Sequence, residues 1–235
     1  MHIEDRLLTP GVTHGRNGKA MTPQGIVIHY VGNPGSSALA NRLWFENGAG
    51  GGYTSAHYII GLNGEIIRCV PDNECAAHAG KSYGLAWDEM SKTNNSRLLG
   101  IENCHPSSDG KFNNKTLGSL VELVAYLCMR YKLDPDKDVY RHYDVSGKSC
   151  PLYYVNKPEE WIALKTKFKE KVILLTAPTA EKEAATVNNP SSWAEEAWTW
   201  AKQSGITDGT RPDAAATREE SITFIYRLYT MLTKK

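Results

Sequence analysis

The sequence carries almost no surplus of charge: 27 Lys and Arg stand against 26 Asp and Glu, a net +1. Bulk attraction to nucleic acid or to an anionic membrane needs a surplus that this composition lacks, so neither is an expected partner. Long apolar runs are missing too. A helix that spans a bilayer needs about 20 largely apolar residues, and runs such as Val172–Leu175 fall far short. The opening Met1-His2-Ile3-Glu4-Asp5-Arg6 has no basic stretch followed by an apolar one. No secretory leader is therefore expected, and synthesis is placed in the cytoplasm. A disulfide framework is the third absence. The five cysteines, Cys69, Cys75, Cys104, Cys128 and Cys150, are odd in number and irregular in spacing, which fits a reducing place of synthesis. Cys69 and Cys75 do not make a metal-type CxxC pair, and Cys104 and Cys128 read as small buried hydrophobes.

What is present is enough apolar material for a core: 41% of 235 residues are hydrophobic. That suits one medium domain with a small appendage. Residues 1–24 read as an irregular arm. Gly25–Val31 is a short β-branched run, predicted to be a buried strand. Ser36 and Ser37 are placed to cap a helix with Leu39, Leu43 and Trp44 on one face, ended by the glycines of 48–52. His57–Ile60 and Glu65–Val70 flank Gly61-Leu62-Asn63-Gly64, a hairpin pattern. Leu98–Cys104 is a further strand. Thr116–Tyr131 is a helix with a stripe of Leu117, Leu120, Val121, Val124, Leu127 and Tyr131. Val139 and Tyr140 lead into a polar loop ending at Cys150-Pro151, and a helix starts at Pro158. The fold class is α/β: a mixed central sheet flanked by helices, then a small α-helical C-terminal module. The division expected is 1–172, a linker over 173–189, and 190–235. In the last part Ser192 with Glu195, and Thr217 with Glu220, fit capping boxes. Trp193, Ala197 and Trp200 line one helix there, and Ile222, Ile225, Tyr226 and Tyr229 the other, while Trp198 falls off the first stripe.

The chemistry concentrates in a few histidines and one cysteine. His29 lies within an apolar strand run, where a polar ring must find a partner or bind something. His142 and Cys150 flank Tyr143–Ser149. Imidazole and thiolate are favoured zinc ligands, and catalytic zinc sites use three protein ligands plus water. On spacing alone, a hydrogen-bonded core histidine is the competing reading for His29. His57 reads as a structural, hydrogen-bonded residue. His2, His14 and His105 read as surface residues. His78, between Ala77 and Ala79, and Trp44 are the candidates for lining a substrate groove.

Five segments sharpen this. They are Gly25-Ile26-Val27-Ile28-His29-Tyr30; Ser55-Ala56-His57-Tyr58-Ile59-Ile60 with Asn63-Gly64; Ala77-His78-Ala79-Gly80; Leu99-Gly100-Ile101-Glu102-Asn103; and Arg141-His142-Tyr143-Asp144-Val145-Ser146-Gly147-Lys148-Ser149-Cys150-Pro151. In that order, and over about residues 22–170, the chain resembles the zinc amidases related to T7 lysozyme and the peptidoglycan recognition proteins. These are N-acetylmuramoyl-L-alanine amidases of the phage endolysin and autolysin type. The resemblance implies one zinc per chain on His29, His142 and Cys150, with peptidoglycan as the partner. It implies Glu102 as the base acting on a zinc-activated water and Lys148 as the stabiliser of the developing oxyanion. The T7-like branch has a tyrosine where this chain has Ala56, so the base is assigned to Glu102. Asp144 or a backbone carbonyl is expected to orient a ligating imidazole.

Residues 190–232 resemble a single S-layer homology repeat, carried by Trp193-Ala194, Ala197, Trp200-Ala201, Gly205-Ile206-Thr207-Asp208-Gly209 and Thr217-Arg218-Glu219-Glu220. That resemblance implies binding to a secondary cell-wall polymer or self-association. Two other readings stay open at this level: a non-catalytic peptidoglycan binder, and an endopeptidase acting within the stem peptide. The lytic enzyme would act on the wall after release from the cytoplasm, as a phage lysin or an autolysin.

Overall fold

The structure, a computed structural model, describes residues 1–11, 15–51, 53–80, 94–176, 194–207 and 218–233. It divides into two compact units, Met1–Leu175 and Thr176–Lys235.

The first unit is built on a six-stranded sheet of order β1-β5-β4-β7-β3-β8. The strands are β1 (Glu4–Asp5), β3 (Gly25–Ile28), β4 (Tyr58–Ile60), β5 (Ile66–Arg68), β7 (Leu98–Asn103) and β8 (Val139–Arg141). Only the β4–β5 hairpin is antiparallel; β1 with β5, β4 with β7, β7 with β3 and β3 with β8 run parallel. The sheet is mixed, as expected. A two-stranded ribbon of β2 (Arg16–Ala20) and β6 (Glu74–Ala76) lies apart from it. Residues 1–24 therefore are not simply an irregular arm. Their β1 and β2 are edge pairings held by charge as well as backbone: Arg68 grips Asp5, and Arg16 grips Glu74 through a two-pronged contact at 2.8 Å. Such pairs leave no apolar periodicity to read.

Alternation along the strands assigns the two faces. Ile26 and Ile28 of β3, Leu99 and Ile101 of β7, and Tyr58 and Ile60 of β4 face the main core. They pack against Leu120, Leu123, Val124 and Leu127 of helix α2 (Asn114–Tyr131) and Trp161, Leu164 and Phe168 of helix α5 (Pro158–Thr176). Helix α2 starts on Asn113, whose side chain accepts the Thr116 N–H, and ends on Lys132 in a left-handed conformation. The opposite face carries Val27, Leu98 and Tyr140, and further along Ile59 and Ile67 beneath helix α1 (Ala38–Glu46). Helix α5 runs four residues beyond 172, so that expected boundary falls inside a helix.

Helix α1 is capped by Ser37, as its sequence requires. Its inward face differs from the expected stripe. Ala38, Asn41 and Phe45 point in, and Leu39, Leu43 and Trp44 are left 41%, 46% and 49% exposed. The polar Asn41 is tolerated inside because its amide donates to Ser36 Oγ and to the Ser37 carbonyl. The stretch after β8, expected as a loop to Cys150-Pro151, holds a short helix, α3 (His142–Ser146), and a second, α4 (Leu152–Asn156), follows it.

In the second unit, helices α6 (Glu195–Gln203) and α7 (Arg218–Thr233) are described. The capping residues Ser192 and Thr217, the linker after 176 and Trp193 lie outside the described residues. On α6 the half-buried stripe is Ala194, Trp198 and Ala201, and Trp200 is exposed, the reverse of the expected phase. Both stripes have the i, i+4, i+7 spacing, so spacing alone does not choose between them. On α7, Ile222, Ile225, Tyr226 and Tyr229 are exposed. Among the described residues no helix is long and apolar enough to cross a membrane.

Candidate metal centre

The register of three parallel strands sets out the site. Ile28 of β3 pairs with Ile101 of β7 on one side and Arg141 of β8 on the other. One residue on, the chain directions place Glu102, His29 and His142 in a row across the carboxyl ends of the strands. All three lie on the face opposite the main core. Carboxyl strand ends are where ligands bind in open parallel sheets. The His29 backbone is pinned on both sides of that row: its N–H donates to the Ile101 carbonyl, and its carbonyl accepts from the Asn103 amide.

Cys150 reaches the row by way of α3. That helix stops at Gly147 in a left-handed conformation (φ 77°), which turns the chain back. The Tyr143 N–H then donates to the Cys150 carbonyl at 2.9 Å. His29, His142 and Cys150 are all buried, and one ligand atom of each lies within 4.8 Å of the others. Cys150 Sγ is 3.7 Å from His29 Nδ1, and the rings of His29 and His142 are 4.5 Å apart. His142 Nδ1 is buried with no hydrogen-bond partner among the described residues. A shielded, unpaired ring nitrogen is costly in a finished core. Beside a second imidazole and a thiol it is a donor set suited to zinc, so these residues fit the metal.

Electrostatics around the row follow from burial. Desolvation drives His29 well below the usual imidazole range and His142 to about 3, with the positive charge of Lys148 acting the same way on both. Burial, aided by Glu102, pushes the Cys150 thiol up to about 12; a backbone N–H from Tyr30 and the charge of Lys148 pull it back. Glu102 is half-buried. Burial raises its carboxyl to about 8, against a downward pull from Lys148, and its Oε2 has no partner among the described residues. Lys148 itself is exposed.

Beside these residues opens a cleft of about 750 Å³ lined by Tyr53, Thr54, His78, Asn95, His142, Tyr143 and Lys148, among others. His78 borders it, but the ring is buried and both its nitrogens are engaged, on His29 and on the Leu98 carbonyl. Trp44 is not among the lining residues; it is half exposed on α1. Asp144 does not orient an imidazole. Its carboxylate is taken by the Arg141 side chain and backbone N–H. His57 is the structural residue expected: Nδ1 accepts from the Gly100 N–H and Nε2 donates to the Glu74 carbonyl. His105 is not a surface residue. It is 1% exposed, tilted against Tyr30, with Nδ1 donating to the Ser107 carbonyl. His14 lies outside the described residues.

Comparison with known proteins agrees with this construction. Residues 19–152 match the family described as N-acetylmuramoyl-L-alanine amidase. That is more than half of the chain, and the chain belongs to this family. It is 34% identical over 177 residues to a probable N-acetylmuramoyl-L-alanine amidase of Bacillus licheniformis, covering 74% of this chain and 48% of that relative. It is 33% identical over 156 residues to the N-acetylmuramoyl-L-alanine amidase BlyA of Bacillus subtilis strain 168, covering 62% and 41%. The chain thus spans about half the length of the curated relatives it matches. Among solved structures, the catalytic domain of XlyA aligns with a TM-score of 0.58 at 28% identity, covering 72% of this chain and 99% of that one.

Four buried imidazoles carry a pH signature. His57 is lowered to about 4, His78 and His142 to about 3, and His29 well below its ordinary 6.5. Below that value the unfolded chain takes up protons that the folded chain refuses, so this stability is present above pH 6.5 and lost as pH falls toward the folded values. Glu102 acts oppositely, by one proton, between its ordinary 4.5 and about 8. In metal-stripped protein, urea unfolding should show stability dropping from about pH 6.5 to 4.5, with a shallower slope in His57→Gln, which spares the converging trio. A stability flat over that range would contradict the buried neutral rings.

Proposed function

We propose that this chain hydrolyses the amide between N-acetylmuramic acid and L-alanine in peptidoglycan, with one zinc held by His29, His142 and Cys150. The observation that carries the reading is the alignment of Glu102, one oxygen unpartnered, beside a buried cluster of two imidazoles and a thiol at an open cleft. The choice of bond rests on family membership. Zinc on three protein ligands supplies Lewis acidity and an acidified water.

The protein groups divide the remaining work. Glu102, raised toward neutrality by burial, is matched to taking a proton and returning it to the leaving amine. Lys148, exposed on the cleft wall, puts positive charge where negative charge develops on the carbonyl oxygen. The cleft itself is within the size range that holds small ligands. Tyr53 and Tyr143 supply half-exposed aromatic surface on its walls. The second unit is read as a tether to wall polymer or as a means of self-association, since α7 presents Ile222, Ile225, Tyr226 and Tyr229 outward. We read the enzyme as acting on the wall after release from the cytoplasm.

Mass spectrometry of digested peptidoglycan should show whole stem peptides with free L-alanine amino termini; new termini inside the stem would make the chain an endopeptidase. Glu102→Ala should keep zinc and lower turnover by about 10²-fold or more. Cys150→Ser should lose most of the metal, because a hydroxyl is a poor zinc ligand near neutral pH. Full occupancy in Cys150→Ser, or undiminished turnover in Glu102→Ala, would remove the assigned roles.

A chain ending at Thr176 should turn over soluble muropeptide like the full chain and sediment less with intact walls, because a tether concentrates enzyme without touching the chemistry. Poor turnover of the soluble substrate would instead mean that residues beyond 176 complete the site.

A further inference from the structure

We propose that His78 is a positioning residue: it fixes the tautomer and ring orientation of His29, so that His29 presents Nδ1 to the metal. The inference rests on the reading of His29, His142 and Cys150 as zinc ligands.

The hydrogen-bond chain admits one arrangement. The Leu98 carbonyl can only accept, and it lies 2.9 Å from His78 Nε2, so Nε2 carries the hydrogen. A neutral imidazole has one N–H, so His78 Nδ1 is left with its lone pair. That atom lies 3.0 Å from His29 Nε2, which must therefore donate. The His29 hydrogen sits on Nε2, and its free lone pair is on Nδ1, the atom 3.7 Å from Cys150 Sγ. Metal-binding histidines are commonly held through the far nitrogen by a carboxylate, a carbonyl or water. Here another imidazole takes that place, itself held by a strand carbonyl.

The sheet makes room for this second ring. A Cβ at Gly100 would lie 2.6 Å from His78 Cγ and 2.8 Å from both Cδ2 and Nδ1. The missing side chain in β7 is thus the slot into which the imidazole fits. His57 packs edge-on against the same ring, with centroids 5.7 Å apart, and is itself tied to the Gly100 N–H. The backbone of the segment is clamped as well: Asn95 Oδ1 accepts from both the His78 and the Ala79 N–H, at 3.1 and 2.8 Å. Asn95 thus anchors the segment that carries the His78 ring against His29.

The test uses the full chain and measures zinc affinity by competition with a chromophoric chelator, together with the visible spectrum of the cobalt-substituted protein. His78→Leu removes the acceptor and should weaken zinc binding about 10- to 100-fold and shift the cobalt bands. His78→Asn places Oδ1 near the position of Nδ1 and should recover affinity to within a few-fold of wild type. Gly100→Ala leaves His78 in the sequence but evicts its ring, and should weaken binding as His78→Leu does. The variants Asn and Ala decide the matter if His78→Leu does not fold. Wild-type affinity and spectrum in His78→Leu would overturn the proposal. So would a His78→Asn protein that binds as weakly as His78→Leu, which would make the ring mere packing. Failure of the trio itself reads differently: wild type would bind no zinc, or Cys150→Ser would bind it fully.

Discussion

The parallel pairing of β7, β3 and β8 is the constraint from which the site follows. Side chains alternate along a strand, so a slip of one residue in β3 would carry His29 to the main-core face among Ile26, Ile28, Leu99 and Ile101. That slip is barred by the core itself, since it would take Ile26 and Ile28 out of it and leave an unpaired ring in their place. The same alternation that fills the core with Ile and Leu thus delivers His29, Glu102 and His142 to one row. Cys150 joins them because α3 is short and ends on a glycine that reverses the chain. The converging trio is then a by-product of register plus one turn.

Much of this was legible in the sequence because it rests on local patterns. The β-branched run at 25–31, the glycine-centred hairpin at 61–64 and the apolar stripe of 116–131 each reported their own element. Motif order carried His29, His142, Cys150, Glu102 and Lys148 as a set. What escaped was decided by tertiary contact. Helix α1 shows an apolar stripe of Leu39, Leu43 and Trp44, yet docks through Ala38, Asn41 and Phe45, with the Asn41 amide satisfied by Ser36 Oγ and the Ser37 carbonyl. Strands β1 and β2 are held by ion pairs to residues far along the chain. The burial of His105 against Tyr30 has no local cue.

The place of His78 had one cue that sequence reading passed over. A lone glycine inside an apolar strand often marks close approach of another group, and Gly100 sits between Leu99 and Ile101. Only the fold shows that the approaching group is an imidazole, and that it faces His29. The neighbourhood also explains why His29, His57 and His78 can lie buried together: each has at least one nitrogen satisfied by backbone or by another ring. Burial without such partners would cost more than the site could bear.

The proposed chemistry depends on which atoms would hold the zinc. X-ray absorption at the zinc edge of the zinc-loaded full chain reads that directly. One sulfur at about 2.3 Å and two imidazole nitrogens at about 2.0–2.1 Å are expected, with the remaining position filled by a light atom. A first shell without sulfur, or with a single imidazole, would contradict the trio of His29, His142 and Cys150.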